Sequence, residues 1–521
     1  MRRTSMTNTP RTGKSSPIAT VCATALALTL SAPAALAGPD DDTLRIAWGA
    51  TGPIDNLDAY FNTNRTGIWF ARNVWDTLVF RDLENSSYEP LLATSWTFPD
   101  DKTMDLTLRE GVVFHNGEPF NADDVVFTLN FIADPDNGVL TRNNVDWIER
   151  AERTGDYSVR IHMTRPMPQI FELLSGPIVI YPDDYYAEVG PSGMNEMPVG
   201  TGPYRVTEVV PAERYTLERN ADYTWGSPKG EASIGTLEVR EIADVQTQVA
   251  ELLGGGIDFT ADISSDQLEQ IIGLPGFDGA QSETMRISYL GFDAAGRSEF
   301  EPVQDVRVRE AIARAVNRAA ISENLVRGDS RVVNTPCFPT QFGCDQSAAT
   351  VWEYDPDAAR ALLADAGYPD GFSIDLYSYR SPAWSEAIIA DLAEIGIDAK
   401  LNHMGYFALR DLQHEGKTPL YLMDWGSFSI NDMSAITSRF FTLGPDDFAR
   451  DDELAAWLDT GDNASDPDKR RAAYADAIGR ITSEIYWLPM FSHVRSYAYV
   501  DGLNFKGFVD EIPRFYAYSW N

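Results

Sequence analysis

Residues 92–131 constrain the fold of this chain more than any other segment. They read LATSWTFPDDKTMDLTLREGVVFHNGEPFNADDVVFTLNF. Apolar and polar residues alternate over 104–108, which predicts a strand. Gly111 and Gly117 predict tight turns that require positive φ. Asn121, followed closely by two aspartates, is typical of a helix N-cap. The segment is therefore expected to fold as a strand, tight turns and an amphipathic helix.

The rest of the chain alternates between strand and helix patterns, with no internal repeat and no long linker. Strand patterns occur over 44–48, 157–163, 215–218, 237–242, 285–292 and 372–377. Helical patterns occur over 306–321, 355–367, 383–395 and 468–484. Such a mixture predicts an α/β fold.

The N-terminal segment has the features of an export signal. Basic residues precede an apolar run over 18–30, and no acid occurs before Asp40. A small-residue A-x-A pattern ends at Ala37, which predicts cleavage before Gly38 and a signal peptide over 1–37. The alternative is a retained N-terminal anchor. We expect the mature chain to be periplasmic.

Two cysteines follow the predicted signal peptide, Cys337 and Cys344. The segment CFPTQFGC places a proline and a glycine between them, and an oxidising compartment favours disulfides. The sequence therefore predicts a local disulfide, with two free thiols as the alternative.

The formal net charge of −36 is spread along the whole chain. A surface of this charge repels nucleic acid and anionic lipid, so neither is expected as a partner. Because the acidic residues are scattered, we interpret them as solubilising rather than as a functional patch.

The sequence contains no catalytic or metal-binding motif. Neither G-x-S-x-G nor H-E-x-x-H occurs. The five histidines are dispersed: His115, His162, His403, His414 and His493. We expect no enzyme activity, no cofactor and no metal site. Two alternatives stay open, a secreted hydrolase that uses an Asp/Glu pair and a protein that binds nickel or another metal chelate.

Several segments, in order, carry a family resemblance that covers nearly the whole mature chain. Besides 92–131, they are GTGPY at 200–204 with LERN at 217–220, DVRVR at 305–309, the run over 354–367, and MDWG at 423–426. This series resembles solute-binding family five of bacterial ABC importers, which includes peptide-, opine- and nickel-binding proteins.

The resemblance implies a two-lobed periplasmic binding protein clamp, type II and cluster C-like, with an additional small lobe. Lobe I would comprise 38–82, 200–283 and 491–521, the small lobe 83–199, and lobe II 284–490. The implied protein is a monomer that captures a short peptide or an opine-like amino-acid derivative. It would deliver this small-molecule ligand to an inner-membrane ABC permease with its ATPase.

The resemblance also directs attention to the segment over 424–429. Trp425 is expected to stack on the ligand, and Gly426, Ser427 and Ser429 to offer hydrogen-bonding groups. In dipeptide-binding relatives an aspartate that holds the ligand amine stands where this chain has Phe428. Asp424 is adjacent but does not occupy the matching position.

Further candidate ligand contacts lie elsewhere in the chain. Arg380 falls near the carboxylate-binding arginine of the dipeptide-binding relatives, and the alternative is an ordinary surface arginine. Tyr60, Phe61 and Asn62 belong to an early loop that faces the cleft in relatives, unless it packs internally here. Tyr406 is a further candidate.

Overall fold

The computed structural model describes residues 41–49, 54, 56–62, 65–85 and 87–521, without the side chains of residues 65, 66 and 428. The predicted signal peptide lies outside these residues. The strands are β1 (Thr43–Trp48), β2 (Val79–Asp82), β3 (Ser87–Pro90), β4 (Ala93–Asp100), β5 (Thr103–Leu108), β6 (Ile148–Gly155), β7 (Ser158–Met163), β8 (Tyr204–Val210), β9 (Arg214–Arg219), β10 (Thr236–Glu241), β11 (Phe259–Ala261), β12 (Phe277–Phe292), β13 (Phe372–Ser378), β14 (Ile397–His403), β15 (Leu420–Trp425), β16 (Trp487–Val500), β17 (Leu503–Asn504) and β18 (Ser519–Trp520). The α-helices are α1 (Arg65–Val74), α2 (Ala122–Ala133), α3 (Ile170–Leu174), α4 (Asp183–Glu196), α5 (Val245–Leu253), α6 (Ser265–Ile272), α7 (Val306–Ala315), α8 (Arg318–Ile321), α9 (Pro356–Asp365), α10 (Pro382–Glu394), α11 (Tyr406–His414), α12 (Ser434–Phe440), α13 (Asp452–Asn463) and α14 (Pro467–Ser483).

A ten-stranded mixed sheet runs through the protein in the order β14-β13-β15-β12-β16-β11-β1-β10-β9-β8. β13 is parallel to both of its neighbours, β14 and β15, and β1 is parallel to both of its neighbours, β10 and β11. The other neighbouring strands are antiparallel. The predicted α/β class is confirmed. Two long strands, β12 and β16, join the two halves of this sheet.

The pairing of β12 with β16 changes register at its centre. Irregularities lie between Glu283 and Ile287 and between Ile287 and Tyr289. The first part of β12 pairs with the part of β16 that also contacts β11, whereas its last part lies between β15 and β16. The irregular stretch is therefore the crossing between the two halves of the sheet.

The segment over 92–131 folds as the sequence predicts. It contributes β4 and β5 to a four-stranded antiparallel sheet of order β4-β5-β7-β6, followed by α2. Asn121 and Asp124 form a reciprocal capping box at the start of α2. Val125, Leu129 and Ile132 are buried on one face of that helix, as amphipathic spacing requires.

The buried apolar side chains form separate groups. The largest draws on residues 44–261 and the C-terminal segment over 497–518. Two further groups are built from residues 285–491. Ile430, from the turn after β15, packs in the first group. Trp425 and Met433, which lie on either side of it in sequence, belong to one of the groups built from residues 285–491.

The predicted helix over 306–321 is interrupted. Val316 is extended, with φ −82° and ψ 117°, and ends α7. Asn317 then caps α8 by accepting a hydrogen bond from the Ala320 amide at 3.0 Å, while its own amide donates to Asp391 at 2.8 Å. The apolar spacing continues across the break, which is why periodicity alone did not reveal it.

Cys337 and Cys344 form the predicted disulfide, with their Cα atoms 5.8 Å apart. Both side chains are buried within a group of apolar residues. Across the described ranges, no helix is both long enough and apolar enough to span a bilayer.

Candidate functional site

Asp424 lies near the end of β15 at the centre of a buried ionic cluster. Its fully buried carboxylate accepts hydrogen bonds from Arg286 Nη1 at 2.5 Å, Arg380 Nη2 at 2.9 Å and the Tyr379 hydroxyl at 2.6 Å. Arg286 also donates to Glu511 in the C-terminal segment, at 2.8 Å. Burial alone raises the pKa of Asp424, but the charges of Arg380 and Arg286 outweigh burial and hold that pKa well below its usual range.

The cluster determines what Arg380 does in this structure. Its Nε and Nη2 atoms form a two-pronged contact with the Asp424 carboxylate. The arginine predicted to bind a ligand carboxylate therefore already has an internal carboxylate partner. Tyr406 lies one ring further out, with its centroid 5.2 Å from the Tyr379 ring.

Trp425 is a packed side chain. Only 8% of its surface is exposed, and its Nε1 donates to the Ala435 carbonyl at 2.9 Å. The ring meets Phe440 edge-on at 5.3 Å, and the Arg439 guanidinium lies 5.0 Å from its centroid. These contacts leave little of the ring open for stacking on a ligand, and its predicted ligand contact stays a prediction.

A strained turn follows Trp425. Ser427 and Ser429 both have left-handed backbones, with φ 56° and 69°, which non-glycine residues rarely adopt. Both serines are buried, and the Ser427 hydroxyl has no hydrogen-bond partner within the described part of the chain. Phe428 stands between them, and its side chain lies outside the described atoms. Such strain persists where surrounding structure enforces it, which is common at ligand-binding positions.

Residues from a distant part of the chain hold this turn. Arg81 on β2 donates to the Ser429 carbonyl at 2.6 Å, and Glu172 on α3 accepts from the Asn431 amide at 2.7 Å. Arg81 and Glu172 are themselves an ion pair, and Tyr88 donates its hydroxyl to Glu172. The turn is thus bound by one buried acid–base pair.

A cavity of about 60 Å³, which we call the larger cavity, lies beside α1. Its wall includes Asn62 from the predicted early loop. A Cβ atom on Gly67 would lie 2.1 Å from the Asn62 Cγ, so glycine permits this close approach. Tyr60 is instead buried, and its hydroxyl donates to the Val179 carbonyl, while Phe61 is half-buried.

A second cavity of about 30 Å³, the basic cavity, adjoins the same helix. Four cationic side chains line it: Arg72, Arg81, Lys229 and Arg514. Lys229 pairs with Asp76 at 2.7 Å, and Arg514 pairs with Asp510 at 2.6 Å. Arg72 lines both cavities.

The structure therefore brings the predicted residues together in two groups. Asp424, Gly426, the two serines, Arg380 and Tyr406 lie around the end of β15, and a Cβ on Gly426 would come within 2.7 Å of Arg286 Nη2. The loop over 60–62 lies by the larger cavity. Arg81 lines the basic cavity and contacts Ser429, and Arg72 lines both the basic and the larger cavity.

Sequence reasoning missed several residues of the site: Arg286 and Glu511 in the Asp424 cluster, Arg81 and Glu172 at the turn, and Arg72 between the cavities. No motif spacing marks them. Arg72 does stand out in the local sequence pattern. It lies four residues after Ile68 on the same face of α1, where an apolar residue is usual.

No group of three histidine, cysteine or acidic side chains in the described ranges is arranged to hold a metal ion. The histidines have other partners. His115 contacts the Gly202 carbonyl at 2.9 Å, and burial lowers its pKa to about 4. His403 contacts the Arg380 carbonyl at 2.9 Å.

His493 supplies a test of how burial shapes acid stability. Its Nε2 lies 2.7 Å from the Ser288 hydroxyl, and burial lowers its pKa to about 3. The unfolded histidine takes up a proton near pH 6.5, so His493 contributes stability above that pH and loses it as the pH falls towards 3. We expect a slope of about 1.4 kcal/mol per pH unit from this residue, and His493→Gln removes it.

Urea unfolding of both proteins at pH 7, 5.5 and 4.5 measures this difference. His403→Gln, at an exposed position, is the matched control. Parallel stability curves for wild type and His493→Gln would contradict the assignment.

Residues 87–447 match the family described as bacterial extracellular solute-binding proteins, family 5 Middle. Glutathione-binding protein GsiB of Salmonella typhi is 27% identical over 493 residues, covering 90% of this chain and 92% of that protein.

Solved structures share the fold. The ABC transporter-associated periplasmic binding protein DppA from Helicobacter pylori, in complex with peptide STSA, has a TM-score of 0.75 at 24% identity, covering 92% of this chain and 98% of that one. AgaA from A. tumefacien R10, in complex with agropinic acid, has a TM-score of 0.70 at 24% identity, covering 91% of this chain and 96% of that one. The predicted two-lobed periplasmic binding protein fold is confirmed, and this chain belongs to the bacterial extracellular solute-binding proteins of family 5.

Proposed function

We propose that this chain is the periplasmic substrate-binding component of an ABC importer and captures a short peptide or an opine-like amino-acid derivative. It acts as a monomer, carries out no catalysis and delivers the closed complex to a membrane permease with its ATPase. The names of its relatives support this range of solutes, because they bind glutathione, a peptide and agropinic acid.

The observation that carries the proposal is the contact between Arg81, Glu172 and the turn over 427–431. We assign Arg81 to lobe I (38–82, 200–283 and 491–521) and Glu172 to the small lobe (83–199). The turn belongs to lobe II (284–490). Two hydrogen bonds of 2.6 and 2.7 Å therefore join the lobes beside the basic cavity. Ile430 adds an apolar contact, because it packs in the buried group that is otherwise drawn from lobe I and the small lobe.

The proposed hinge lies where β12 and β16 cross between the lobes. Their pairing is irregular between Glu283 and Tyr289, and an irregular ladder has fewer hydrogen bonds to lose on bending. A solute that contacts both lobes favours the closed state by the difference in its affinity for the two states. We expect the Arg81 and Glu172 contacts with the turn to break when the lobes separate.

A thermal-shift screen tests the proposed function. The mature chain is heated with dipeptides, tripeptides, glutathione, opines, sugars, and nickel with histidine. A true solute at 100 times its Kd should stabilise the protein by about 2.7 kcal/mol, because only the folded state binds it. Small-angle scattering should show a smaller radius of gyration with that solute than without it.

Mass spectrometry of the recovered solute distinguishes binding from hydrolysis. We expect the solute to be returned unchanged. Conversion that disappears in an Asp or Glu variant would replace the binding proposal with the hydrolase alternative. Stabilisation by sugars alone, or by nickel with histidine alone, would contradict the proposed solute class.

A further inference from the structure

Arg72 has unused hydrogen-bonding capacity at the junction of the two cavities. Its Nη1 donates to the carbonyls of Ser175 at 2.8 Å and Gly176 at 2.7 Å. Its Nε is buried and has no hydrogen-bond partner among the described residues. Nη1 is therefore fixed by the backbone, whereas Nε lacks a partner, in a residue that lines both cavities.

Among the cationic side chains that line the basic cavity, Arg72 differs in its ion pairing. Lys229, Arg514 and Arg81 each have a carboxylate partner, which are Asp76, Asp510 and Glu172 respectively. No carboxylate in the described part of the chain forms an ion pair with Arg72. Burial and the charges of Arg514 and Arg81 lower the pKa of Arg72 to about 10, although the charge of Asp510 opposes this shift. A shielded cation without a counter-ion is costly, and an anionic ligand group would remove that cost.

We propose that Arg72 binds a carboxylate of the solute and that an apolar group of the same solute occupies the larger cavity. The inference rests on the proposed function and makes it more specific. A guanidinium fork matches a carboxylate in shape as well as in charge. The larger cavity offers apolar surface from Ala59, Ile68, Ala71, Pro177 and Val179. The C-terminal carboxylate of a short peptide beside an apolar side chain has this chemistry.

The position of Arg72 also couples the solute to closure. Arg81 lines the basic cavity and donates to the Ser429 carbonyl. A carboxylate bound at Arg72 therefore lies in the same cationic wall that contacts the turn over 427–431. Arg380 is paired with Asp424, whereas the Arg72 Nε has no partner in the described ranges, so we assign the role to Arg72.

Matched pairs of carboxylates and amides test the inference. The probes are alanyl-leucine and alanyl-leucinamide, N-acetyl-leucine and N-acetyl-leucinamide, and glutathione, measured by calorimetry and thermal shift. In wild type we expect the acid of a pair to bind about tenfold to hundredfold more tightly than its amide. Arg72→Gln should abolish this preference. Arg360→Gln, at an exposed arginine of α9 that pairs with Asp357, should retain it.

The possible results test the carboxylate site separately from the proposed function. Equal binding of acid and amide by wild type, or an unchanged preference in Arg72→Gln, would overturn the carboxylate site while leaving the proposed function intact. Binding confined to solutes that lack a carboxylate would also overturn it. If no solute in either screen binds, the proposed function fails first. The wild-type comparison needs no variant, so it decides the question even if Arg72→Gln does not fold.

Discussion

Asp424→Ala is expected to destabilise the protein by roughly 3–5 kcal/mol, because it leaves buried positive charge without its partner. The carboxylate is fully buried and is shared by Arg286 and Arg380, so one substitution removes both ion pairs. In the variant Arg286 still pairs with Glu511, so we expect the largest loss of electrostatic stabilisation at Arg380. Urea unfolding at neutral pH measures the loss directly.

The matched control is Asp357→Ala, which removes an exposed aspartate paired with Arg360. Exposed pairs contribute little, so its unfolding midpoint should stay close to that of wild type. A second readout is affinity for carboxylate solutes. If Arg380 is held by Asp424, its release in Asp424→Ala should create additional carboxylate binding. An Asp424→Ala protein as stable as Asp357→Ala would show that the ionic cluster is not part of the folded core.

Trp425→Ala should cost about 3–5 kcal/mol of stability, as expected for a large buried aromatic side chain. The substitution removes the contact with Phe440 and leaves the Ala435 carbonyl without its donor. Trp425→Phe should cost only about 1 kcal/mol, because it retains a ring and loses one hydrogen bond. Unfolding in urea, with solute affinity measured on the same samples, distinguishes packing from ligand contact.

The two variants separate the sequence-based hypothesis from the structural one. A ligand-stacking tryptophan would give a stable Trp425→Ala protein that no longer binds its solute. A packing tryptophan gives an unstable protein whose residual folded fraction still binds. The buried position of the ring favours the second result.

Local sequence patterns were sufficient to predict the structure where residues that are close in sequence are also the ones that contact each other. The strand, turns and capped helix over 92–131 depend on alternation, on glycines at positive φ and on a capping box within four residues. The disulfide closes a separation of only seven residues. The break after α7 was missed because its cause is a distant one, the hydrogen bond from the Asn317 amide to Asp391.

The candidate site was predictable only in part. The resemblance identified the segment over 424–429, and the structure places Arg380 and Tyr406 beside it. The partners that decide what those residues do come from other parts of the chain. Arg286 is 138 residues from Asp424, and Arg81 is 348 residues from Ser429.

The sequence by itself determined the class of the protein, the local elements and the cysteine pairing, because each depends on composition, spacing or an ordered series of segments. Only the tertiary structure decided which charged side chains pair with each other. Asp424 holds Arg380 within the protein, whereas the Nε of Arg72, which lines both cavities, has no partner in the described ranges. An ion pair requires two groups to be within a few ångströms of each other, and folding alone brings residues hundreds of positions apart to that distance.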